Sequence, residues 1–520
     1  MRRSEWRING RRIGFGAWVV IMAFAGVAMA AEPKTALTIY SKAAPGAIQA
    51  DMYRPLPPSY GRGSGYNWQI PGYAIIKQDR DISIGAQRSQ LRFSDVAAFI
   101  DPTTVKFTSL TDPVGTKVLE QDYQFDLVDQ NKLMERYIDR EITVEQIVGD
   151  SVQSYSGKLI SSAGGSVTLL DSKGGVRVIR AFQNVLYPDL PGGLITRPTL
   201  MWDLFSKKPG AHRARVTYET GGITWWADYN LVYTEGKDAN HGFLDLSAWV
   251  SVINRSGASY DDANLKLVAG DVNRAPTRPQ AVGRAYRMKA EMALEDSVGG
   301  FGEKSFFEYH LYTLGRPTTL PDNSTKQIEL FSPVNGVPVE KLMVYAGVPF
   351  QGYYYDHPVT DASFGQEVKS VDVYLQLLNS KENGMGMPLP AGRIRVSKMD
   401  TADGSLEFIG EDVIKHTPKD EKALVKLGRA FDVVGERKQV DFKVDTSRKT
   451  MSETIEIKIR NHKKEPVTVI AQERLYRWVN WNITHTSAKW TKEDSRTIHF
   501  PVIVAPDGES VVTYTVKYTW

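Results

Sequence analysis

The chain has no cysteine in its 520 residues. That absence excludes disulfide staples, thiolate metal sites, a cysteine nucleophile and lipid attachment through cysteine. Histidine is sparse too. His212, His241, His310, His357, His416, His462, His485 and His499 stand apart, with no H-E-x-x-H pair, so neither a transition-metal site nor any other cofactor is expected. Excess charge is also missing. The net charge of +4 is supplied by Arg2, Arg3, Arg7, Arg11 and Arg12 against Glu5, which leaves residues 31–520 formally neutral. With no basic stripe beyond residue 30, nucleic acid is not expected as a partner.

What is present begins with the first thirty residues. The arginines precede an uncharged apolar run from Ile13 to Val27, which exits through Ala28-Met29-Ala30. A positive n-region, an apolar h-region and a small-residue exit predict a signal peptide over 1–30. The mature chain is then expected to begin at Ala31 and to work in the periplasm or outside the cell, with no membrane span left after cleavage.

Helix signals are few. Asp129 is a candidate cap for a short helix through Tyr137, with Leu133 and Tyr137 stacked at i, i+4. Elsewhere β-branched and aromatic residues alternate or cluster between Gly, Pro, Asn and Asp. Between residues 155 and 180, three apolar runs are separated by Gly164-Gly165 and Gly174-Gly175. This predicts a β-meander, and closure into a small barrel would remove its exposed edges. Two stretches share a pattern: Trp249–Asn254 followed by Ala263–Leu267, and Ile455–Asn461 followed by Val467–Ile470. Each is a strand ending at Asn, a polar turn and another strand, as suits immunoglobulin-like sandwiches.

The expected fold is therefore mainly β: multidomain antiparallel sandwiches with a small β-barrel insertion and few helices. The expected segments are an N-terminal sandwich over 31–127, a short helix plus barrel over 128–195, and a large sandwich region over 196–520 with a mobile loop at 273–300.

Several motifs carry a family likeness. They include Asp101-Pro102-Thr103-Thr104-Val105, Leu190-Pro191-Gly192-Gly193-Leu194, Pro198-Thr199-Leu200-Met201-Trp202 and Ile223-Thr224-Trp225-Trp226-Ala227-Asp228-Tyr229. Further along come Leu389-Pro390-Ala391-Gly392-Arg393, Ile414-Lys415-His416-Thr417-Pro418 and Trp478-Val479-Asn480-Trp481. From about Tyr73 to Trp520 the chain resembles a bacterial exported family of unknown function that includes the mucoidy-inhibitor-type proteins. The resemblance implies a β fold, an envelope address and an effect on envelope polysaccharide. It carries over no catalytic residue. Where the family often has Ile-Gly after the tyrosine near 137, this chain has Ile138-Asp139.

Two constellations stand out as chemistry. His416 with Asp420 and Glu421 is the most enzyme-like cluster, since a carboxylate-oriented His can act as general base. Thr417-Pro418-Lys419-Asp420 also has the spacing of a structural turn, and no nucleophile motif accompanies it. The aromatics Trp226, Tyr229, Tyr353 and Tyr354 are candidate ligand contacts. Adjacent strand residues face opposite ways, so Trp226 points out if Trp225 points into a core. Asp228, Glu411 and Glu473 qualify as hydrolytic acids only as any carboxylate does, because spacing in sequence cannot test separation in space.

The expectation is an exported envelope protein that binds or organises without catalysis, with envelope polysaccharide or another envelope protein as partner. The alternatives are a glycan-active hydrolase with a carboxylate pair, and an outer-membrane β-barrel suggested by the alternating Val512, Tyr514, Val516, Tyr518 and Trp520.

Overall fold

The computed structural model describes residues 35–41, 48, 52, 70–125, 128–149, 151–191, 194–270, 272–274, 301–348, 357–362 and 368–520. The signal segment 1–30, most of the loop 273–300, and both Tyr353 and Tyr354 lie outside the described residues.

The chain is mainly β, and its described strands form four sheets. Strands Thr35–Ser41, Gly72–Ile84 and Ile100–Ser109 join Gly210–Thr220, Tyr260–Ala269, Phe301–Phe306, Tyr309–Leu314 and Thr318–Leu320 in an eight-stranded sheet. Gln87–Ser94 and Thr116–Gln124 flank Thr199–Ser206 in a three-stranded one. Strands from 31–127 thus pair with strands beyond 196, and sheet membership crosses that boundary. The cause is a shared core. Ala74 and Ile76 pack in one cluster with Trp202, Val216 and Tyr218, and apolar faces are buried only where they meet.

The segment between keeps to itself. The helix Gln130–Arg136 is capped by Asp129, whose side chain accepts from the N–H groups of Asn131 and Lys132. Strands Glu141–Val148, Ser151–Ser161, Val167–Leu170, Val176–Ile179 and Asn184–Leu186 form a five-stranded sheet of their own. That sheet is open, so the expected barrel is corrected. Ile142, Val144, Leu159, Val167 and Leu169 bury their face against Met134 and Tyr137. The helix and its C-terminal tyrosine cover the apolar face that barrel closure was expected to hide. At the Ile138-Asp139 turn, Asp139 adopts φ 67°. Asp is one of the few non-glycine residues that tolerates this left-handed region, which glycine adopts freely.

The fourth sheet has thirteen strands and runs through the rest of the chain. Two of them are very long. Ser324–Ala346 pairs first with His241–Asn254 and then with Ser370–Leu378. Lys422–Asp445 pairs with Ser370–Leu378 through its first half and with Thr450–Asn461 through its second. Each strand passes from one packing partner to the next without a hinge, which joins successive sandwiches into one piece. Three pairings are parallel, at Ala36–Tyr40 with Asn264–Val268, Ala227–Tyr233 with Gly392–Lys398, and Met343–Ala346 with Val469–Gln472. In each the chain makes a long crossover between the paired strands, as parallel pairing requires.

The repeated Asn pattern is real, and it has a third member. Asn254, Asn379 and Asn461 are all fully buried. Asn254 Nδ2 donates to the carbonyls of Ala258 (2.9 Å), Leu320 and Pro321 (both 3.1 Å). Asn461 Nδ2 donates to Glu465 (2.8 Å), Ala505 (3.1 Å) and Val504 (3.4 Å). Asn379 Nδ2 reaches Met387 (2.8 Å), Pro418 (2.9 Å) and Thr417 (3.3 Å). In each case two successive carbonyls come from the turn that leads into the antiparallel partner strand.

The last strand, Gly508–Thr519, lies inside this sheet between Thr450–Asn461 and Trp481–Thr486. Val512, Tyr514, Val516 and Tyr518 point into the C-terminal core. None of the four sheets closes on itself, so the C-terminal alternation belongs to a sandwich and not to an outer-membrane barrel. No helix among the described residues is long and apolar enough to cross a membrane.

Candidate functional site

The strand Ile223–Glu235 divides its residues by parity. Trp225, Ala227, Tyr229, Leu231 and Tyr233 enter the main core, so Trp226, Asp228 and Asn230 face the other way. Neighbouring strands add to that outer face in register. Asp228 stands between Trp249 and Arg393, Trp226 opposite Ser251, and Asn230 between Ser247 and Arg395.

A polar ladder crosses this face over five adjacent strands. Gln327 Nε2 donates to Ser251 Oγ at 3.1 Å, and Ser251 Oγ donates to Asp228 Oδ2 at 3.1 Å. On the other side Arg395 Nη1 lies 3.7 Å from Asp228 Oδ1, while its Nε donates to Glu411 Oε2 at 3.0 Å. The Asp228 side chain is 11% exposed; Arg395 and Glu411 are 38% and 41% exposed. Half-exposed ion pairs of this kind contribute about 0–1 kcal/mol to stability, so folding alone gains little from their alignment. Trp249, half-buried, stands beside the ladder.

The two aromatic candidates within the described residues have different fates. Trp226 does face out, but it packs against Ile48, Met52, Ile70 and Ile253. Tyr229 is a correction: it is fully buried, and its hydroxyl donates to Pro390 O at 2.7 Å. Burial, then the neighbouring Tyr312 and Asp228, pushes that phenol well above its ordinary pKa. It offers no surface to a ligand. Trp249 carries no signal of its own in the sequence, where Trp249–Asn254 reads only as a strand that ends at an Asn turn.

His416, Asp420 and Glu421 belong to another place. An open groove of about 580 Å³ lies where Leu406–Ile414 ends and Lys422–Asp445 begins, lined by Val413, His416, Glu421, Lys422 and Leu424. His416 Nδ1 accepts the N–H of Ala391 at 3.1 Å. Asp420, at φ 63°, gives its N–H to Asn379 O at 2.7 Å, and Glu421 O accepts the N–H of Asn379. The cluster is the turn that Asn379 organises, as the spacing of Thr417-Pro418-Lys419-Asp420 also predicts.

The acids with the most buried partners are in the C-terminal sandwich. Arg437 Nε donates to Glu473 Oε1 and Oε2 at 3.1 and 3.0 Å, and Tyr514 Oη donates to Glu473 Oε2 at 2.5 Å. Alongside, Arg477 Nε donates to Glu453 Oε2 at 2.8 Å and Tyr518 Oη to Glu453 Oε1 at 3.3 Å. Burial is the largest single influence and works against the Arg437 charge, but Glu473, Tyr514 and Glu453 together outweigh it and raise the pKa. Burial, and then the adjoining glutamate, pushes Tyr514 and Tyr518 well above the ordinary phenol value. Arg477 Nη1 also binds the carbonyls of Val359 and Asp361. These groups are spent on holding the sandwich together. Among the described residues no group of three or more His, Asp or Glu gathers to hold a metal ion.

No family model, curated protein or solved structure matches this chain.

Proposed function

We propose that this is an exported, non-catalytic β-sandwich protein of the cell envelope that binds a glycan on the outer face of its main sheet. One observation carries the reading: the ladder Gln327–Ser251–Asp228–Arg395–Glu411 crosses five adjacent strands beside Trp249, which stands opposite Asp228. An aromatic ring supplies apolar area to the face of a sugar, and fixed donors and acceptors meet its hydroxyls. The envelope address rests on the first thirty residues and on the family likeness.

A hydrolase reading fits this face less well. Arg395 already bridges Asp228 and Glu411, where a glycosidase must seat the scissile bond between its two carboxyl groups.

Calorimetric titration of the full chain with envelope polysaccharides tests the proposal. Wild type should bind, and Trp249→Ala should lose about tenfold or more in affinity, the worth of one aromatic contact, with an unchanged circular dichroism spectrum. No binding by wild type ends the reading. Release of reducing sugar during the titration would replace it with the hydrolase.

A further inference from the structure

We infer that the glycan is acidic, and that Arg393 takes the carboxylate of the uronic acid ring stacked on Trp249. The inference rests on the glycan reading and adds the class of sugar. Arg393 lies on the strand Gly392–Met399 in register with Asp228, and Trp249 is the register neighbour of Asp228 on the other side. All three therefore share one row on the outer face. With strands about 4.8 Å apart, the tryptophan and the arginine stand roughly 10 Å apart, a span suited to one pyranose ring and its carboxylate.

The charges on this row are unequally used. Asp228 is held by Ser251 and Arg395, and Arg395 is held by Asp228 and Glu411. Arg393 is half-buried and makes no hydrogen bond or ion pair among the described residues. A guanidinium kept partly out of water beside a carboxylate already committed elsewhere is an open anion contact. Its planar fork matches a carboxylate with two parallel hydrogen bonds. Val413, its neighbour on the far side, is apolar and 41% exposed, so it offers no competing charge. Because residues 31–520 are formally neutral, selectivity for an acid must come from a local group such as this and not from bulk attraction.

The test compares polygalacturonate with its methyl ester, which removes the charge and keeps the ring. The full chain should bind the acid about tenfold more tightly, the gain from one charge-assisted contact, and the gap should narrow as salt rises. Arg393→Gln should bind both polymers with the affinity of the ester, while Trp249→Ala should lose both. Equal binding of acid and ester by wild type, or a preference that survives Arg393→Gln, overturns this inference and leaves glycan binding standing. Binding of neither polymer also overturns it. A neutral envelope polysaccharide in the same titration then shows whether the wider reading falls too.

Discussion

Asn254 and Asn461 hold the same corner in two different sandwiches. Each gives its amide to the carbonyl four residues on, Ala258 and Glu465, and to two successive carbonyls of the returning chain. Each accepts the N–H two residues on, from Ser256 and Lys463, at 3.1 and 3.0 Å. Asn is the side chain that can do this, since it offers two donors and an acceptor without charge. The pattern explains why the strands end where they do: the corner satisfies buried carbonyls that the sheet ladder leaves over.

Removing one of these amides should therefore cost far more than an ordinary surface change. Asn461→Ala leaves the carbonyls of Glu465 and Ala505 without their donor in a buried turn, and should destabilise the C-terminal sandwich by about 3 kcal/mol. Urea unfolding followed by tryptophan fluorescence reads that sandwich, which contains Trp478, Trp481, Trp490 and Trp520. An unchanged midpoint would mean that the corner is ornamental.

The paired ions predict an asymmetry. Glu453→Leu strands the fully buried Arg477, and breaking a buried pair from one side costs about 3–5 kcal/mol. The double variant Glu453→Leu/Arg477→Met removes both charges and should be the more stable of the two. The N–H of Val359 donates to Arg477 O at 3.0 Å. Its hydrogen exchange should quicken in the double variant, because Arg477 Nη1 no longer holds the Val359 and Asp361 carbonyls.

Alkali should unfold the chain along a defined route. Burial is the leading cause that pushes Tyr233 and Tyr476 up to about 12 and drives Tyr260, Tyr312, Tyr514 and Tyr518 well above the ordinary 10. Below pH 10 folded and unfolded chains both keep these protons, so the phenols add no pH dependence there. Above it the unfolded chain releases protons that the folded chain retains, and stability falls as pH rises toward the folded values. Each fully buried phenol contributes up to about 1.4 kcal/mol per pH unit to that slope. The urea midpoint should stay level from about pH 8 to pH 10 and drop beyond. Phenolate absorbance should show these rings ionising only as the chain unfolds.

Local patterns in the sequence were readable, and long returns of the chain were not. Asp129 announced its helix because a cap acts on the next three residues. The Gly-punctuated runs between 155 and 180 became the strands ending at Ser161, Leu170 and Ile179. Trp225 and Trp226 parted to opposite faces, as period two requires. Asn379 has no such local signal, because a long loop separates it from its next strand, where Asn254 and Asn461 turn within a few residues. The ladder was hidden more deeply. Asp228, Arg395 and Glu411 meet because Gly392–Met399 pairs in parallel with a strand far earlier in the chain, and no local period encodes that pairing. The cover over Trp226 comes from Ile48, Met52 and Ile70, in a Pro- and Gly-rich stretch with no periodic signal.

Tyr229 and Trp249 supply the last prediction, since both are aromatic and stand on neighbouring strands but serve opposite faces. Tyr229→Phe removes the hydroxyl that reaches Pro390 O at 2.7 Å and leaves that buried carbonyl without its donor. The cost should be about 1–2 kcal/mol of stability, with glycan affinity unchanged, because the ring lies wholly on the core side of the sheet. Trp249→Ala truncates a half-buried ring on the outer face and should abolish the aromatic contact, with a stability cost of its own of about 2–3 kcal/mol from lost apolar burial. Denaturation midpoints and glycan titrations on the two variants separate the roles. Lost binding in Tyr229→Phe with the fold intact would mean that the core face takes part in recognition, and would move the site away from Trp249.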